Sequence, residues 1–112
     1  IARWARLESP THAADRMDAM MDLAAADAAD PSIAIERIPG RDGLGGMMVL
    51  RAGPATDEKA ILVLSHLDTV HPVGTLERDL PVRVEGDRLY GPGVYDMKGG
   101  AFIGLEAFKA VA

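Results

Sequence analysis

Residues 65–70, with the sequence SHLDTV, and residues 91–100, with the sequence GPGVYDMKGG, decide how this chain is interpreted. The first stretch ends the apolar run 60–65, which predicts a central strand covered on both faces. The second leads from a glycine-rich turn into a helix predicted from residue 96 or 97 to residue 112. Open α/β sheets bind ligands beyond the carboxyl ends of their strands, so this edge is the expected site. Its candidate residues are His66, Asp68 and Asp96.

The remaining pattern predicts further helices and strands. Ser9 or Thr11 is expected to cap the second predicted helix, because hydroxyl oxygens accept hydrogen bonds from free N–H groups. No internal repeat is present, and the mixture of helices and strands predicts an α/β chain. The predicted elements are a short helix within residues 1–8, a helix with one buried face over 13–29, strands over 32–38 and 47–51, and a hairpin of strands 82–85 and 88–90.

Composition restricts the classes of partner and site. The chain has 112 residues, a formal net charge of −5 and no cysteine. An acidic chain without a basic face is not expected to bind nucleic acid, and no apolar run approaches the ~20 residues that cross a bilayer. Without cysteine, a metal must be held by histidine and carboxylate groups. A cytoplasmic location is expected, although the lack of cysteine is equally compatible with the periplasm.

Both ends of the chain are typical of a fragment. It begins with Ile1 rather than methionine, and 112 residues amount to one domain at most or a piece of one. The predicted last helix is apolar nearly all round and reaches Ala112 without a glycine or proline stop. We therefore expect neighbours on more than one side of this helix, supplied by the missing remainder of the chain or by another chain.

The three candidate residues suit a hydrolytic metal site. A neutral imidazole of His66 can bind zinc through one nitrogen, while Asp68 accepts the proton on the other nitrogen. Asp96 can bridge two metal ions about 3.5–4 Å apart. Two alternatives stay open: His66 and Asp68 can share a hydrogen bond without a metal, and Asp96 can cap the following helix. His71 can face the same cleft or lie solvated on its loop, and a surface position is expected for His12.

Residues 65–74 and 90–100 together resemble the M20 metallopeptidases, in particular the glutamate carboxypeptidase (carboxypeptidase G2-like) branch. The resemblance implies a zinc-aminopeptidase-like catalytic domain, an α/β fold with a mixed sheet flanked by helices. It further implies that residues 1–112 are the N-terminal fragment of this domain, without its remainder and without the dimerisation or lid domain. Similar stretches of that branch also correspond to residues 8–11, 37–40 and 84–87.

The same resemblance implies a role for each candidate residue. His66 would be a ligand of one zinc ion, Asp96 would bridge two zinc ions, and Asp68 would be the catalytic-site carboxylate that orients His66. The bond between Asp96 and Met97 is expected to be cis, as is common in such enzymes. The family's glutamate pair, a further carboxylate ligand and its last histidine lie beyond the second stretch. The zinc site of the fragment is therefore expected to be incomplete.

The resemblance implies that the parent protein is a zinc-dependent metallopeptidase or amidohydrolase. Metal-activated water would cleave the amide bond to a C-terminal amino acid, with glutamate as the expected residue, in a small peptide or N-acyl amino acid. The parent is expected to be a homodimer, and the isolated fragment is expected to be inactive. The alternatives are an M20 deacylase of the acetylornithine or succinyl-diaminopimelate type, and a non-catalytic truncation product that packs on another chain.

Overall fold

The computed structural model describes residues 1–54, 56 and 59–112, and it confirms a small α/β unit. No helix in these ranges combines the length and the apolar character needed to cross a membrane. The helices are α1 (Ala2–Ala5), α2 (Ala14–Ala28), α3 (Thr75–Arg78) and α4 (Gly99–Val111), and the strands are β1 (Ala34–Ile38), β2 (Met47–Arg51), β3 (Arg83–Glu85) and β4 (Arg88–Tyr90).

The hydrophobic core lies where α1, α2 and α4 meet. Trp4 of α1 is buried there, and its ring packs edge-to-face on Phe102 of α4 with centroids 5.2 Å apart. The indole N–H of Trp4 donates to the Asp27 carboxylate of α2, which satisfies the polar atom of this buried ring. The other buried members of the core are Met17, Met20, Ala24, Ala28, Leu67, Ala101 and Leu105.

The helix predicted over 13–29 is confirmed as α2, but its predicted cap is wrong. The residue that precedes the helix is Ala13, and no side chain makes a capping hydrogen bond there. The hydroxyl of Ser9 donates instead to the backbone carbonyl of Leu67, and the hydroxyl of Thr11 donates to the Asp68 carboxylate. Both side chains are directed at residues 67 and 68, and the residue at the cap position, Ala13, has no side-chain oxygen that could accept a hydrogen bond.

The predicted strands and the predicted hairpin of residues 82–90 are present, but the expected mixed sheet is not formed within the described ranges. Strands β1 and β2 pair antiparallel, with Ile38 opposite Met47 at the closed end, and β3 and β4 form a second, separate antiparallel pair. The one parallel bridge outside these strands joins Pro10 and Thr69. Two isolated hairpins cannot cover each other's edges, so the sheet predicted from the resemblance needs strands that this part of the chain does not provide.

The prediction of a central strand over residues 60–65 is also wrong for this structure. No strand is assigned to these residues, and the apolar side chains of the run are exposed rather than buried, with Ile61 at 93% and Leu64 at 79%. A strand exists only when a neighbouring strand accepts and donates its backbone hydrogen bonds. No described residue pairs with the run 60–65, so apolar composition alone leaves it extended and solvent-accessible.

The last helix begins later than predicted and is packed on one side. Helix α4 starts at Gly99, because Asp96 and Met97 have non-helical backbone angles in the preceding turn Val94–Lys98. One face of α4 lies in the core, whereas Ile103 and Val111 are exposed. Among the described residues, neighbours are therefore found on one side of the helix and not on several.

A buried lysine joins the two ends of the described chain. Lys98 is fully buried, and its ammonium group donates hydrogen bonds to the backbone carbonyls of Leu7 (2.6 Å) and Trp4 (3.2 Å). Burial lowers the pKa of Lys98 to about 8, against the opposing effect of the Glu8 carboxylate. Leu7 begins a segment, residues 7–11, that contacts several distant parts of the chain, and we call it the N-terminal brace.

Replacement of the buried lysine by methionine tests this anchor. We expect Lys98→Met to keep the apolar stem but to lower the free energy of unfolding by about 1–3 kcal/mol, because the Leu7 carbonyl loses its charged donor. Urea denaturation followed by circular dichroism at neutral pH measures the change. The exposed Lys59 provides the control, and Lys59→Met should stay within about 0.5 kcal/mol of the wild type. Equal stability of the two variants would contradict an anchoring role for Lys98.

Candidate metal site

The N-terminal brace lies alongside residues 67–69 and holds the loop that carries His66 and Asp68. The amide of Thr69 donates to the Ser9 carbonyl (2.8 Å), and the amide of Thr11 donates back to the Thr69 carbonyl (3.3 Å). The Ser9 hydroxyl adds a buried hydrogen bond of 2.7 Å to the Leu67 carbonyl. Alternating bonds of this kind are the parallel-strand pattern, so the loop has one defined position relative to the N-terminus.

Glu8 of the N-terminal brace holds a second part of the loop. Its carboxylate accepts hydrogen bonds from the amides of Gly74 and Leu76, each 2.9 Å long. These bonds, led by the one from Gly74, lower the pKa of Glu8 even though burial of the carboxyl opposes the change. The segment after His71 is thus fixed by an ionised side chain that lies more than sixty residues away in sequence.

Glycines bring the turn that carries Asp96 close to this loop. Gly93 has a φ of 72°, and a Cβ atom there would lie 2.8 Å from the Thr69 methyl group. A Cβ on Gly99 would lie 2.3 Å from the Val94 carbonyl oxygen, which explains a glycine at the start of α4. The Asp96–Met97 bond is cis, which confirms the expectation drawn from the resemblance.

The structure brings the three predicted site residues together around one imidazole ring. Nδ1 of His66 lies 3.1 Å from Asp68 Oδ1, and Nε2 of His66 lies 3.0 Å from Asp96 Oδ1. The remaining oxygen of Asp68 accepts the hydrogen bond from the Thr11 hydroxyl at 2.6 Å. No side chain caps α4, so the alternative in which Asp96 serves as a helix cap does not describe this structure. Asp96 instead directs its carboxylate at the histidine.

The two carboxylates determine the charge of the histidine. Partial burial of the ring lowers the pKa of His66, but the backbone carbonyl and the charge of Asp68, together with Asp96, outweigh this effect and raise the pKa above its ordinary value. A ring that donates from both nitrogens is an imidazolium. When the ring is protonated, the proton on Nε2 occupies the position that a metal ion would need.

The donor atoms fit part of a zinc site. Imidazole nitrogen and carboxylate oxygen are zinc ligands, and two atoms each about 2.0–2.1 Å from a tetrahedral zinc lie roughly 3.3 Å apart. The separation of 3.0 Å between His66 Nε2 and Asp96 Oδ1 is close to that value. Within residues 1–54, 56 and 59–112, no group of three or more histidine, cysteine, aspartate or glutamate side chains is arranged to hold a metal. The pair therefore fits as two ligands of a larger set.

A cleft of about 320 Å³ opens at these residues. His71 lines this cleft together with the three site residues. Of its two predicted positions, the structure therefore supports the one in the cleft. His12 is exposed and does not line this cleft. Tyr95 also borders the cleft and is 98% exposed, which leaves its ring accessible to a ligand.

Sequence reasoning missed how Glu8, Thr11 and Lys98 support the site. Each makes its decisive contact with a residue at least 57 positions away, so no local spacing reveals it. The available signal is a carboxylate and two hydroxyl residues between a short helix and a long one, a pattern that also fits a helix cap. A lysine directly before two glycines is a second signal.

Comparison with known proteins supports the family resemblance of residues 65–74 and 90–100. Residues 62–112 match the family model described as Peptidase family M20/M25/M40. Carboxypeptidase G2 from Pseudomonas sp. (strain RS-16) is 49% identical over 51 residues, which are 46% of this chain and 12% of that protein. The alignment thus spans about an eighth of the relative's length. No solved structure matches the chain.

The hydrogen bonds that the Glu8 carboxylate accepts from two backbone amides predict that the fold loses stability in acid. The pKa of Glu8 in the folded chain is lower than its ordinary value of 4.5. Ionised Glu8 therefore stabilises the fold at pH values above 4.5, and this stabilisation is lost as the pH falls through the pKa of the folded chain. Glu8→Gln should be less stable than the wild type at neutral pH, and the difference should narrow below pH 4.5. Denaturation at a series of pH values measures it. Exposed Glu77, altered to Gln, is the control, and an equal pH profile for both variants would contradict the prediction.

Proposed function

We propose that the chain is the N-terminal portion of a zinc-dependent metallopeptidase of the M20 family, whose model matches residues 62–112. The observation that carries the proposal is the position of the His66 ring between Asp68 and Asp96, all of which lie inside the matched region. His66 and Asp96 are the residues that would hold zinc. When bound, zinc would act as a Lewis acid on an amide carbonyl and on water.

The residues of this chain prepare the site in three ways. Asp68 holds a proton at Nδ1 of His66, so Nε2 is the nitrogen that becomes free for a metal. The turn Val94–Lys98 presents Asp96 toward that nitrogen. The cleft gives a substrate access from the side of Tyr95 and His71. Each of these tasks is a positioning task, and the general base and the remaining ligands belong, in this proposal, to later parts of the parent protein.

The substrate that we propose for the parent is a small peptide or an N-acyl amino acid whose C-terminal residue is glutamate. The identity of 49% with carboxypeptidase G2 supports the carboxypeptidase branch over a deacylase of the acetylornithine or succinyl-diaminopimelate type. A direct comparison of the substrates distinguishes the two branches. We further propose a homodimeric parent with two zinc ions at the complete site.

Exposed apolar surface supports the proposal that residues 1–112 are part of a larger unit. The side chains from Ile61 to Leu64 are between 66% and 93% exposed, and Ile103 and Val111 add to the apolar surface. Soluble monomers rarely expose four consecutive large apolar residues. The remainder of a catalytic domain would cover this apolar surface. We therefore expect these 112 residues alone to be an isolated fragment without activity.

The function is tested with protein expressed from the complete reading frame. We expect hydrolysis of an N-acyl-glutamate, its loss on treatment with a chelator and its recovery with zinc. His66→Ala and Asp96→Asn should each lower kcat/KM by more than about 100-fold, beyond the loss typical of outer hydrogen-bond partners. His12→Ala, at an exposed position outside the cleft, is the matched control and should leave kcat/KM unchanged.

Three outcomes would overturn parts of this proposal. Full activity of His66→Ala would exclude the assigned metal site. Faster cleavage of N-acetylornithine or of succinyl-diaminopimelate than of an N-acyl-glutamate would replace the carboxypeptidase branch by a deacylase. An intact mass of 11.9 kDa under both denaturing and native conditions would show that the 112 residues exist as a separate species.

A further inference from the structure

The hydroxyl of Thr11 is in contact with the site although it lies outside the region that matches the M20 family. It donates a hydrogen bond of 2.6 Å to Asp68 Oδ2, while Asp68 Oδ1 lies 3.1 Å from Nδ1 of His66. The matched region begins at residue 62, so nothing in that match assigns a role to residue 11. The three side chains form a continuous chain of hydrogen bonds from the N-terminal brace to Nδ1 of the imidazole whose other nitrogen is the proposed metal ligand.

The direction of this chain follows from the chemistry of its members. An ionised carboxylate only accepts hydrogen bonds, so both neighbours of Asp68 must donate to it. The hydroxyl proton of Thr11 therefore points to Oδ2. Nδ1 of His66 faces two acceptors, Asp68 Oδ1 and the Asp68 carbonyl, whereas Nε2 faces one exposed carboxylate, and this arrangement favours the proton of a neutral ring on Nδ1. A neutral imidazole with its proton on Nδ1 has its lone pair on Nε2, the nitrogen that faces Asp96.

The Thr11 hydroxyl is held in place independently of Asp68. The amide of the same residue donates to the Thr69 carbonyl, and the neighbouring Ser9 is bonded to Thr69 and Leu67. Thr11 is half-buried, so its hydroxyl is partly shielded from water that would compete for the proton. The Asp68 carboxylate is thus fixed at both oxygens, by the N-terminal brace on one side and by the imidazole on the other.

We infer that Thr11 is a positioning residue of the metal site: its hydroxyl orients the Asp68 carboxylate, and thereby keeps the His66 proton on Nδ1 and Nε2 free for zinc. The inference rests on the proposed function only for the identity of the metal. The orientation of the carboxylate and the tautomer of His66 are properties of the metal-free chain. The backbone carbonyl of Asp68 lies 3.2 Å from the same Nδ1 and also accepts its proton, so loss of the hydroxyl weakens the preference without abolishing it.

The test compares Thr11→Val, which removes the hydroxyl at nearly constant shape, with Thr11→Ser, which retains it. Imidazole ¹⁵N chemical shifts of the metal-free 112-residue chain, recorded at a pH where the ring is neutral, report the tautomer of His66. We expect the Nδ1-protonated form to dominate in the wild type and in Thr11→Ser, and its share to fall in Thr11→Val. Titration with zinc chloride by calorimetry should show about tenfold weaker binding for Thr11→Val and a change within about twofold for Thr11→Ser.

The tautomer measurement and the zinc titration test the inference and the proposed function separately. A wild-type His66 protonated on Nε2, or unchanged tautomer and zinc affinity in Thr11→Val, would overturn the role of Thr11, and the wild-type measurement decides even if the valine variant fails to fold. A weakened valine variant that Thr11→Ser does not restore would also count against it. Absence of zinc binding in every variant would contradict the metal site of the proposed function, while the tautomer measurement would still decide the inference.

Discussion

The N-terminal brace, residues 7–11, is the constraint on which the arrangement of the site depends. Its backbone pairs with Thr69, its Glu8 carboxylate accepts from the amides of Gly74 and Leu76, and its Leu7 carbonyl accepts from the buried Lys98. These contacts attach two elements to one short segment. One is the loop that carries His66 and Asp68, and the other is the turn that carries Asp96. Two loops that share one anchor keep a defined separation, which a metal site requires of its ligands.

The anchoring groups of Lys98 and Glu8 are polar and buried. They stabilise the fold only if all of their hydrogen-bonding atoms have partners. A buried ammonium or carboxylate is tolerated only when its hydrogen bonds are satisfied. Lys98 and Glu8 meet this condition through backbone groups of distant segments, and no buried side-chain nitrogen or oxygen in the described part of the chain lacks a partner. Such contacts depend on geometry more strongly than apolar packing does, which suits a segment that positions reacting groups.

The imidazole between two carboxylates explains how the site can exist without its metal. When His66 is protonated, its two N–H groups balance the negative charge of Asp68 and Asp96. In the proposed site a metal ion would take the place of the proton on Nε2 while the proton on Nδ1 stays, so the heavy atoms would need to move little. Metal affinity at such a site falls at low pH because metal and proton compete for the same lone pair.

The sequence by itself determined the local elements and the members of the site. Helix α2, the hairpins and the position of the three candidate residues follow from periodicity, turn residues and two motifs, all of which act over short distances in the chain. Tertiary structure decided the roles of Ser9 and Thr11, the burial of Lys98 and the state of the apolar run 60–65. Those outcomes depend on which distant group supplies a hydrogen bond or a neighbouring strand, and a linear pattern carries no record of that partner.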